Sequence, residues 1–317
     1  MDQLEKLAKS TMPRKVWLHT GYAETGSTYR RNIESFQNLL LKQRLFHGYN
    51  TADTSLELFG QRVDTPVLVA PISSFHLLGF RAEANVISGA LKARSMVFVG
   101  GVYRSSLEEI AKTPHPPLAL QIYPREGLEA AIEKIKKAES LGFCAIGVTV
   151  DPVQQSKVGE MVIPGRGPGY TLTVEDVRKL RGATSLPFFV KGIMCEEDAM
   201  LAVEAGADAI VVSNHGGRLA DYSRAPIEAL PEIVGAVGSK TIILADSGFR
   251  RGTDVIKALA LGAKAVLLGR PIFWSVAVGG SDGVAQVITK VTDELKRIMV
   301  FCGTPTLEKI SGNILIR

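Results

Sequence analysis

Short apolar runs and amphipathic segments alternate along most of this chain. The runs are rich in Val, Ile, Leu and Ala and hold few polar residues before their last positions. Such runs are typical of strands that are buried on both faces of a parallel sheet. They predict eight strands, at residues 65–72, 96–101, 118–123, 145–150, 187–193, 209–214, 241–248 and 265–270.

The segments between the runs have helical periodicity. Their apolar residues recur three or four positions apart on one side, while Lys and Glu occupy the other side. Gly206 and Gly262 follow two of these segments, at the place where a helix commonly ends. The pattern predicts helices at residues 81–94, 126–141, 198–205 and 253–261.

Strand–helix units in succession favour an α/β fold, the closed (β/α)8 TIM barrel. An open, doubly wound sheet is the alternative, but it usually carries a glycine-rich loop after its first strand, where this chain reads Ala-Pro-Ile-Ser-Ser at 70–74. We expect a single domain over residues 1–317. Its parts are an N-terminal extension at 1–64 (a helix at 2–9, then an extended segment), a barrel core at 65–280, and a C-terminal helix and tail at 281–317.

Composition narrows the class of protein. The 317 residues are 46% hydrophobic and 22% charged, which excludes a disordered chain, a collagen and a coiled coil. No apolar run approaches the ~18 residues of a membrane helix, and the amino end lacks the pattern of a secretory signal. Cys144, Cys195 and Cys302 are too scattered for a disulfide framework or a zinc site. We therefore expect a cytoplasmic protein with free thiols, no metal and no membrane partner.

The net charge of +5 is the remaining compositional signal. Lys and Arg are spread among acidic residues rather than clustered, so the sequence predicts no nucleic-acid partner. A few arginines that face an anionic ligand explain the excess equally well.

Polar and ionisable residues recur at the carboxyl ends of the predicted strands. In a barrel this end carries the active site, and burying such side chains for packing alone is costly. They predict a functional site formed by Ser73, Gln121, Tyr123, Thr149, Asp151, Lys191, Ser213, His215, Asp246, Gly248, Gly269 and Arg270.

The loops after the last two predicted strands are suited to an anion. Asp-Ser-Gly-Phe-Arg-Arg-Gly-Thr at 246–253 leaves the seventh strand and enters a helix, and Gly-Arg-Pro at 269–271 leaves the eighth. Glycines let backbone N–H groups approach an anion, and Arg250 and Arg270 add charge-assisted hydrogen bonds. Because these loops are the usual phosphate site of the fold, they predict a ligand that carries a phosphate.

Two further motifs predict chemistry rather than packing. His215 stands at a strand tip in Ser-Asn-His-Gly-Gly-Arg, placed to act on a ligand, and Arg218 three residues later could grip a carboxylate or carbonyl oxygen. Lys191 lies inside an apolar strand and needs an anionic partner. It is either a Schiff-base lysine or a charge that stabilises a reduced cofactor. Gln121 and Thr149 point the same way on their strands and suit the polar edge of a planar ring.

These motifs resemble those of the FMN-dependent 2-hydroxy acid oxidases and dehydrogenases, which include glycolate oxidase, lactate oxidase, mandelate dehydrogenase and the flavin domain of flavocytochrome b2. The likeness covers nearly the whole chain, from Gly-Tyr-Ala at 21–23 to Thr-Leu-Glu-Lys-Ile at 306–310. Its most specific parts are SNHGGR at 213–218 and the combination of RRGTD at 250–254 with GRP at 269–271. The resemblance implies an FMN cofactor, a small-molecule substrate, O2 or another electron acceptor, and a homo-oligomer, for which a tetramer is common in the family.

The resemblance also implies roles for single residues. His215 would be the base that takes a proton from the substrate, Asp151 would orient it and stabilise its imidazolium, and Arg218 would bind the substrate carboxylate. Tyr22 and Tyr123 would hydrogen-bond substrate oxygens. Lys191 would stabilise the anionic reduced flavin ring near N1 and O2. The other cofactor-binding residues would be Gln121, Thr149, Ser213 and Ser73, with Asp246, Gly248, Arg250, Gly269 and Arg270 at the ribityl chain and phosphate.

The residues expected to bind the substrate depart from the family pattern. Members have a second arginine several residues past the strand-four aspartate, but this chain has none before Arg166. Lys157 could take its place, but an ammonium is a point charge and lacks the planar pair of donors with which a guanidinium binds a carboxylate. The loop that holds these residues is short, and Ser247 stands where glycine is usual. We therefore expect FMN to be retained. A substrate without a free carboxylate, such as a hydroxy or amino amide or a modified natural-product intermediate, stays an open alternative.

The leading hypothesis is an FMN-dependent oxidoreductase that oxidises a carbon bearing OH or NH2 next to a carbonyl or carboxylate, with electrons passing to flavin N5. Three alternatives differ in class. They are an FMN-dependent isomerase, a catalytically inactive flavin-binding paralogue, and a phosphate-binding lyase that uses Lys191 as a Schiff base.

Overall fold

A closed barrel of eight parallel strands forms the centre of the molecule, so the predicted (β/α)8 fold is confirmed. The structure is a computed structural model that describes residues 1–101, 106–151 and 171–316, together with the backbone of 157–158 and 161–162. The barrel strands are β1 (Val67–Val69), β2 (Val97–Gly100), β3 (Leu118–Ile122), β4 (Ala145–Thr149), β5 (Phe188–Ile193), β6 (Ala209–Val212), β7 (Ile242–Ala245) and β8 (Ala265–Leu268).

Every strand lies inside one of the predicted apolar runs, and all of them except β5 end earlier than their run. The barrel closes between β8 and β1, where Val266 pairs with Val67. Pairing in β6 stops at Val212, before the polar residues of its loop, whereas Gln121, Thr149 and Lys191 pair within their strands. The loops, rather than the strands, therefore carry most of the predicted site.

Side chains fill the barrel interior, and a hairpin closes its amino end. Phe98 and Phe189 pack edge to face inside the barrel, with ring centroids 5.0 Å apart. The hairpin strands Leu56–Leu58 and Gln61–Val63 precede β1, and Phe59 between them stacks on Phe189. Because this end is plugged by apolar side chains, a ligand can reach the interior layers only from the carboxyl end.

Helices surround the barrel and include all four that the sequence predicts between the strands. They are α1 (Asp2–Thr11), α2 (Arg14–His19), α3 (Ser27–Glu34), α4 (Ala82–Lys92), α5 (Leu107–Lys112), α6 (Leu128–Ser140), α7 (Val174–Arg181), α8 (Glu196–Glu204), α9 (Pro226–Val237), α10 (Gly252–Ala260) and α11 (Arg270–Cys302). The C-terminal helix begins earlier than expected because α11 starts directly after β8 and continues through a break at Gly280. None of the helices in the described residues is long and apolar enough to cross a membrane.

The N-terminal extension differs from its prediction. The helix at its start is present as α1, but the expected extended segment contains α2 and α3. These helices are short and α3 is mostly polar, so hydrophobic periodicity gave no signal for them. The segment instead packs on the carboxyl end of the barrel, where Ala23 N–H donates to Gly217 O at 2.9 Å.

Candidate active site

A cleft that is open to solvent lies at the carboxyl end of the barrel. The loops after β1, β3, β6, β7 and β8 form its walls together with β5 and the N-terminal segment. Of the predicted site residues, those that line it are Ser73, Tyr123, Lys191, His215, Arg218, Asp246, Gly248, Arg250, Gly269 and Arg270.

The other predicted residues lie beside or beneath this cleft. Asp151 and Ser213 are buried and contact lining residues, while Gln121 and Thr149 are fully buried at the ends of β3 and β4. Tyr22 does not line the cleft, because its ring stacks on Tyr29 with centroids 5.4 Å apart. The side chains of Lys157 and Arg166 lie outside the described residues.

His215 and Asp151 form a hydrogen-bonded pair that links β6 to β4. His215 Nδ1 lies 3.0 Å and 3.1 Å from the two Asp151 carboxylate oxygens, which leaves Nε2 as the nitrogen able to take a proton. Burial lowers the pKa of His215 below its ordinary value, although Asp151 opposes this. Burial acts to raise the pKa of Asp151, but His215 and Lys191 hold it below its usual range. A neutral imidazole beside an ionised carboxylate is the arrangement a general base requires.

The His215 turn, residues 215–217, has an unusual backbone. All three residues lie in the left-handed region, with φ of +56° at His215, +73° at Gly216 and +71° at Gly217. Each N–H has a side-chain acceptor: Ser213 Oγ at 3.1 Å, Ser247 Oγ at 2.9 Å and Asn214 Oδ1 at 3.1 Å, respectively. These hydrogen bonds offset the cost of the left-handed backbone at His215 and fix its ring over the cleft.

Lys191 and Asp246 form a buried ion pair in the cleft floor. Lys191 Nζ lies 3.0 Å from Asp246 Oδ2 and donates to Ser213 Oγ at 2.7 Å. Burial alone would lower the pKa of Lys191, but Asp246 and Asp151 raise it above its ordinary value. A lysine held in its charged form is a poor amine nucleophile, so this geometry favours the electrostatic reading of Lys191 over the Schiff-base alternative.

Arg250 provides a buried cation in the loop after β7. Its Nη1 donates to Phe249 O at 2.9 Å, and its guanidinium lies 5.1 Å from the centre of the Trp274 ring. Nη2 is buried and has no hydrogen-bond partner among the described residues. Gly269, the N-cap of α11, lines the same cleft, so the helix N-terminus adds favourable electrostatics for an anion.

Arg270 is already engaged by the backbone. Its guanidinium donates to the carbonyl oxygens of Thr20, Gly21 and Gly216 at 2.7 to 2.9 Å and lies 4.6 Å from the centre of the Tyr29 ring. Burial and the nearby charge of Arg250 lower its pKa to about 9. The sequence predicts only a phosphate contact here, whereas the structure shows that Arg270 also ties the N-terminal segment to the His215 turn.

Sequence reasoning missed the residues that hold the His215 turn. Asn214 and Asn32 exchange two amide hydrogen bonds, of 2.9 Å and 2.7 Å, and both are buried. The two residues are 182 positions apart, so no local pattern pairs them. Asn214 could have been singled out from its place between Ser213 and His215. Ser247 was noticed only as a departure from the family pattern.

The residues present fit a flavin mononucleotide. Gln121 Oε1 is buried and has no hydrogen-bond partner in the described part of the chain, which suits the N–H edge of a heteroaromatic ring. The unpartnered Nη2 of Arg250 suits a phosphate. Gln121 Oε1 is therefore free to accept a hydrogen bond from the flavin ring, and Arg250 Nη2 is free to donate one to the phosphate, as far as the described residues show.

Comparisons with known proteins point to one family. A sequence profile described as FMN-dependent dehydrogenase matches residues 8–162 and 166–317. The chain is 34% identical to a peroxisomal (S)-2-hydroxyacid oxidase of Arabidopsis thaliana, over 99% of this chain and 95% of the relative. It is also 34% identical to an L-lactate oxidase of Nostoc sp., over 99% of this chain and 96% of the relative.

Solved structures agree with these relatives. A mandelate oxidase with (S)-2-phenylpropionate superposes with a TM-score of 0.91 at 32% identity, covering 99% of this chain and 97% of that one. A flavocytochrome b2 variant with pyruvate bound gives 0.90 at 28% identity, covering 99% of this chain and 85% of that one. The alignment to the Arabidopsis oxidase runs over 344 positions, more than the 317 residues here, so that relative has residues with no counterpart in this chain.

Proposed function

Because this chain belongs to the family of FMN-dependent dehydrogenases and is an FMN-dependent oxidoreductase, we propose that it oxidises 2-hydroxy acids to 2-oxo acids with His215 as the base. The observation that carries the proposal is the His215–Asp151 pair at 3.0 Å, set in a cleft that Arg218 and Lys191 also line. This reaction requires a base, a cation that binds the substrate anion and a buried cation that stabilises the reduced flavin ring. His215, Arg218 and Lys191 would supply them in that order.

The cofactor would be held by residues from seven of the barrel strands and the loops that follow them. Bound FMN supplies a two-electron acceptor for the substrate. Lys191 would place its charge at the ring edge, where negative charge develops. Gln121, Thr149, Ser213 and Ser73 would contact the ring and ribityl chain. Asp246, Gly248, Arg250, Gly269 and Arg270 would hold the ribityl chain and phosphate.

His215 and Asp151 would carry the proton chemistry. As the alcohol becomes a carbonyl, the substrate loses two electrons and two protons. Nε2 of His215 would take one proton from the substrate carbon or its hydroxyl, and the two electrons with the other proton would go to bound FMN, the two-electron acceptor. The imidazolium that forms is stabilised by the Asp151 carboxylate at Nδ1, which is the role of the aspartate in other buried His–Asp pairs. Burial keeps this pair away from bulk water and strengthens the interaction.

Arg218 would bind the substrate carboxylate and Tyr123 would hydrogen-bond a substrate oxygen, since both line the cleft beside His215. Tyr22 stays a candidate for a second oxygen contact. The relatives named in the comparisons act on hydroxy acids with a free carboxylate, which supports the acid over the amide as substrate. The isomerase and inactive alternatives have no comparable support.

The test is anaerobic reduction of the purified yellow protein. We expect one or more of glycolate, L-lactate and (S)-mandelate to bleach the visible flavin absorbance, and the matching 2-hydroxy amides to bleach it far more slowly. Bleaching by the amides alone would replace the proposed substrate class by the alternative without a free carboxylate. If none of these compounds bleaches the flavin while dithionite still reduces it, the proposal that the protein oxidises a hydroxyl-bearing carbon next to a carbonyl or carboxylate is refuted.

The electron acceptor, the compartment and the assembly remain predictions. O2 is the acceptor that the oxidase relatives favour, and a homo-oligomer is expected from the family resemblance. A cytoplasmic location is predicted from the sequence, whereas the Arabidopsis relative is peroxisomal. Consumption of O2 during turnover, measured with an oxygen electrode, would decide between an oxidase and a dehydrogenase.

Asp151→Asn should lower kcat by roughly 10²- to 10⁴-fold, because the imidazolium formed on His215 loses its carboxylate partner. The substitution should also move the acid limb of kcat/KM to lower pH. In the wild type that limb should already lie below the ordinary His value of ~6.5, since burial lowers the pKa of His215 while Asp151 raises it and Lys191 and Arg218 lower it. Removing the Asp151 charge leaves only influences that lower the pKa. A limb that moved to higher pH would contradict this assignment.

A further inference from the structure

Two neighbouring strand tips hold a non-glycine residue in the left-handed region. His215 follows β6 with φ of +56°, and Ser247 follows β7 with φ of +72°. This backbone is strained for an L-residue because Cβ approaches the carbonyl oxygen, a strain that glycine does not incur. Such residues persist where the surroundings hold them, and they concentrate at functional sites. The catalytic assignments above give a reason for the strain at His215, but they give none for Ser247.

The hydroxyl of Ser247 makes two contacts that no glycine could make. It accepts a hydrogen bond from Gly216 N–H at 2.9 Å and donates one to Asp246 Oδ1 at 2.7 Å. The other Asp246 oxygen, Oδ2, pairs with Lys191 Nζ at 3.0 Å. A single side chain therefore joins the buried ion pair of the cleft floor to the turn that carries the base.

These contacts complete a closed ring of hydrogen bonds. Lys191 Nζ also donates to Ser213 Oγ at 2.7 Å, and Ser213 Oγ accepts from His215 N–H at 3.1 Å. The ring runs from Asp246 through Lys191 and Ser213 to the His215 turn, and returns through Ser247 to Asp246. Each of the two serines fixes one backbone N–H of the turn, so the charged pair and the base cannot shift independently.

We infer that Ser247 is a positioning residue that locks the His215 base to the Lys191–Asp246 pair. The inference rests on the proposed function, since it assigns Ser247 a part in that reaction. Ser247 also tunes the pair, because its hydrogen bond to Asp246 Oδ1 draws carboxylate charge away from Lys191. Without this bond Asp246 would neutralise Lys191 more fully, and a reduced flavin ring would be stabilised less.

Two substitutions separate the hydroxyl from the backbone. Ser247→Ala removes both hydrogen bonds and keeps the left-handed strain, whereas Ser247→Gly removes the same bonds and relieves the strain. We expect the Gly variant to melt at a higher temperature than the Ala variant, yet both should lose kcat to a similar extent, by 10-fold or more. KM should change less than threefold, because Arg218 is untouched. The midpoint potential of bound FMN should become more negative in both.

Arg94→Gly is the matched control, because Arg94 has φ of +50° in the turn between α4 and β2, at the opposite end of the barrel. It should leave kcat and the flavin potential unchanged. Wild-type kcat in Ser247→Gly would overturn the inference, as would activity restored by Gly but not by Ala, since only the backbone would then matter. Loss of FMN from both Ser247 variants would overturn it too, by assigning Ser247 to cofactor retention.

The same experiment distinguishes failure of the inference from failure of the proposed function. If the wild type oxidises no 2-hydroxy acid, the proposed function fails. The potential measured by dithionite titration still reports on Ser247 in that case, because it needs no substrate. An unchanged potential in both variants would refute the coupling to Lys191, whatever the substrate is.

Discussion

Replacing His215 by Ala should lower kcat by roughly 10²- to 10⁴-fold, the usual contribution of a general base, while the protein keeps its FMN. The His215 imidazole lines the cleft and is paired with a carboxylate, through Nδ1 to Asp151 at 3.0 Å. Steady-state turnover and the rate of anaerobic flavin reduction, measured on the holoenzyme, would show the effect.

His47→Ala is the control for this substitution. His47 stacks on Tyr49 in a loop that does not line the cleft, so its removal should leave turnover within about twofold. Flavin reduction by substrate at the wild-type rate in His215→Ala would remove the base from the proposed mechanism. Loss of FMN from this variant would show instead that His215 supports the cofactor site.

Replacing Lys191 by Met should destabilise the holoenzyme by about 3 to 5 kcal/mol, the usual cost of breaking a buried ion pair. Asp246 would remain as a buried carboxylate without its cation, because Lys191 Nζ is the ion-pair partner at 3.0 Å and both residues are less than a tenth exposed. Flavin reduction by substrate should also slow by roughly 10²- to 10³-fold, as when other electrostatic stabilisers are removed. Urea unfolding at fixed free FMN and stopped-flow reduction measure the two effects.

The double variant Lys191→Met with Asp246→Asn separates stability from chemistry. Removing the stranded carboxylate should recover most of the lost free energy of unfolding, because no unpaired charge is left buried. The rate of flavin reduction should stay low, since the cation itself is missing. If the double variant regained the rate, Lys191 would act only through the fold. If Lys191→Met unfolded at the wild-type urea concentration, the pair would not be structurally important.

Strand positions were predictable because a strand that is buried on both faces is a continuous run of apolar residues in the sequence. Each barrel strand, such as Phe188–Ile193, lies within the apolar run that predicts it. The amphipathic helices were predictable for the same reason, since one-sided burial produces their periodicity. Arg14–His19 and Ser27–Glu34 left no such pattern because they are short, and the segment between them is held by a backbone hydrogen bond from Ala23 to Gly217 in the distant loop after β6.

The location of the candidate site was predictable because the active site of a (β/α)8 barrel lies at the carboxyl ends of its strands. Once the barrel is inferred, residues at strand ends such as Lys191 and His215 must converge at one end of it. The family resemblance then adds roles. Neither argument reports which oxygen a lysine contacts, or that Arg270 is bound to the carbonyls of Thr20 and Gly21.

The sequence by itself determined the barrel, the end at which chemistry occurs and the residue types present there, because burial pattern and motif spacing are properties of consecutive residues. Only the tertiary structure decided the partners: Asp246 for Lys191, Ser247 for Gly216 and Asn32 for Asn214. These contacts join strand tips and segments that are far apart in the chain, and their geometry is set by barrel closure and by left-handed backbone at single residues. The identity of a side chain does not predict barrel closure around it or a left-handed backbone at its position.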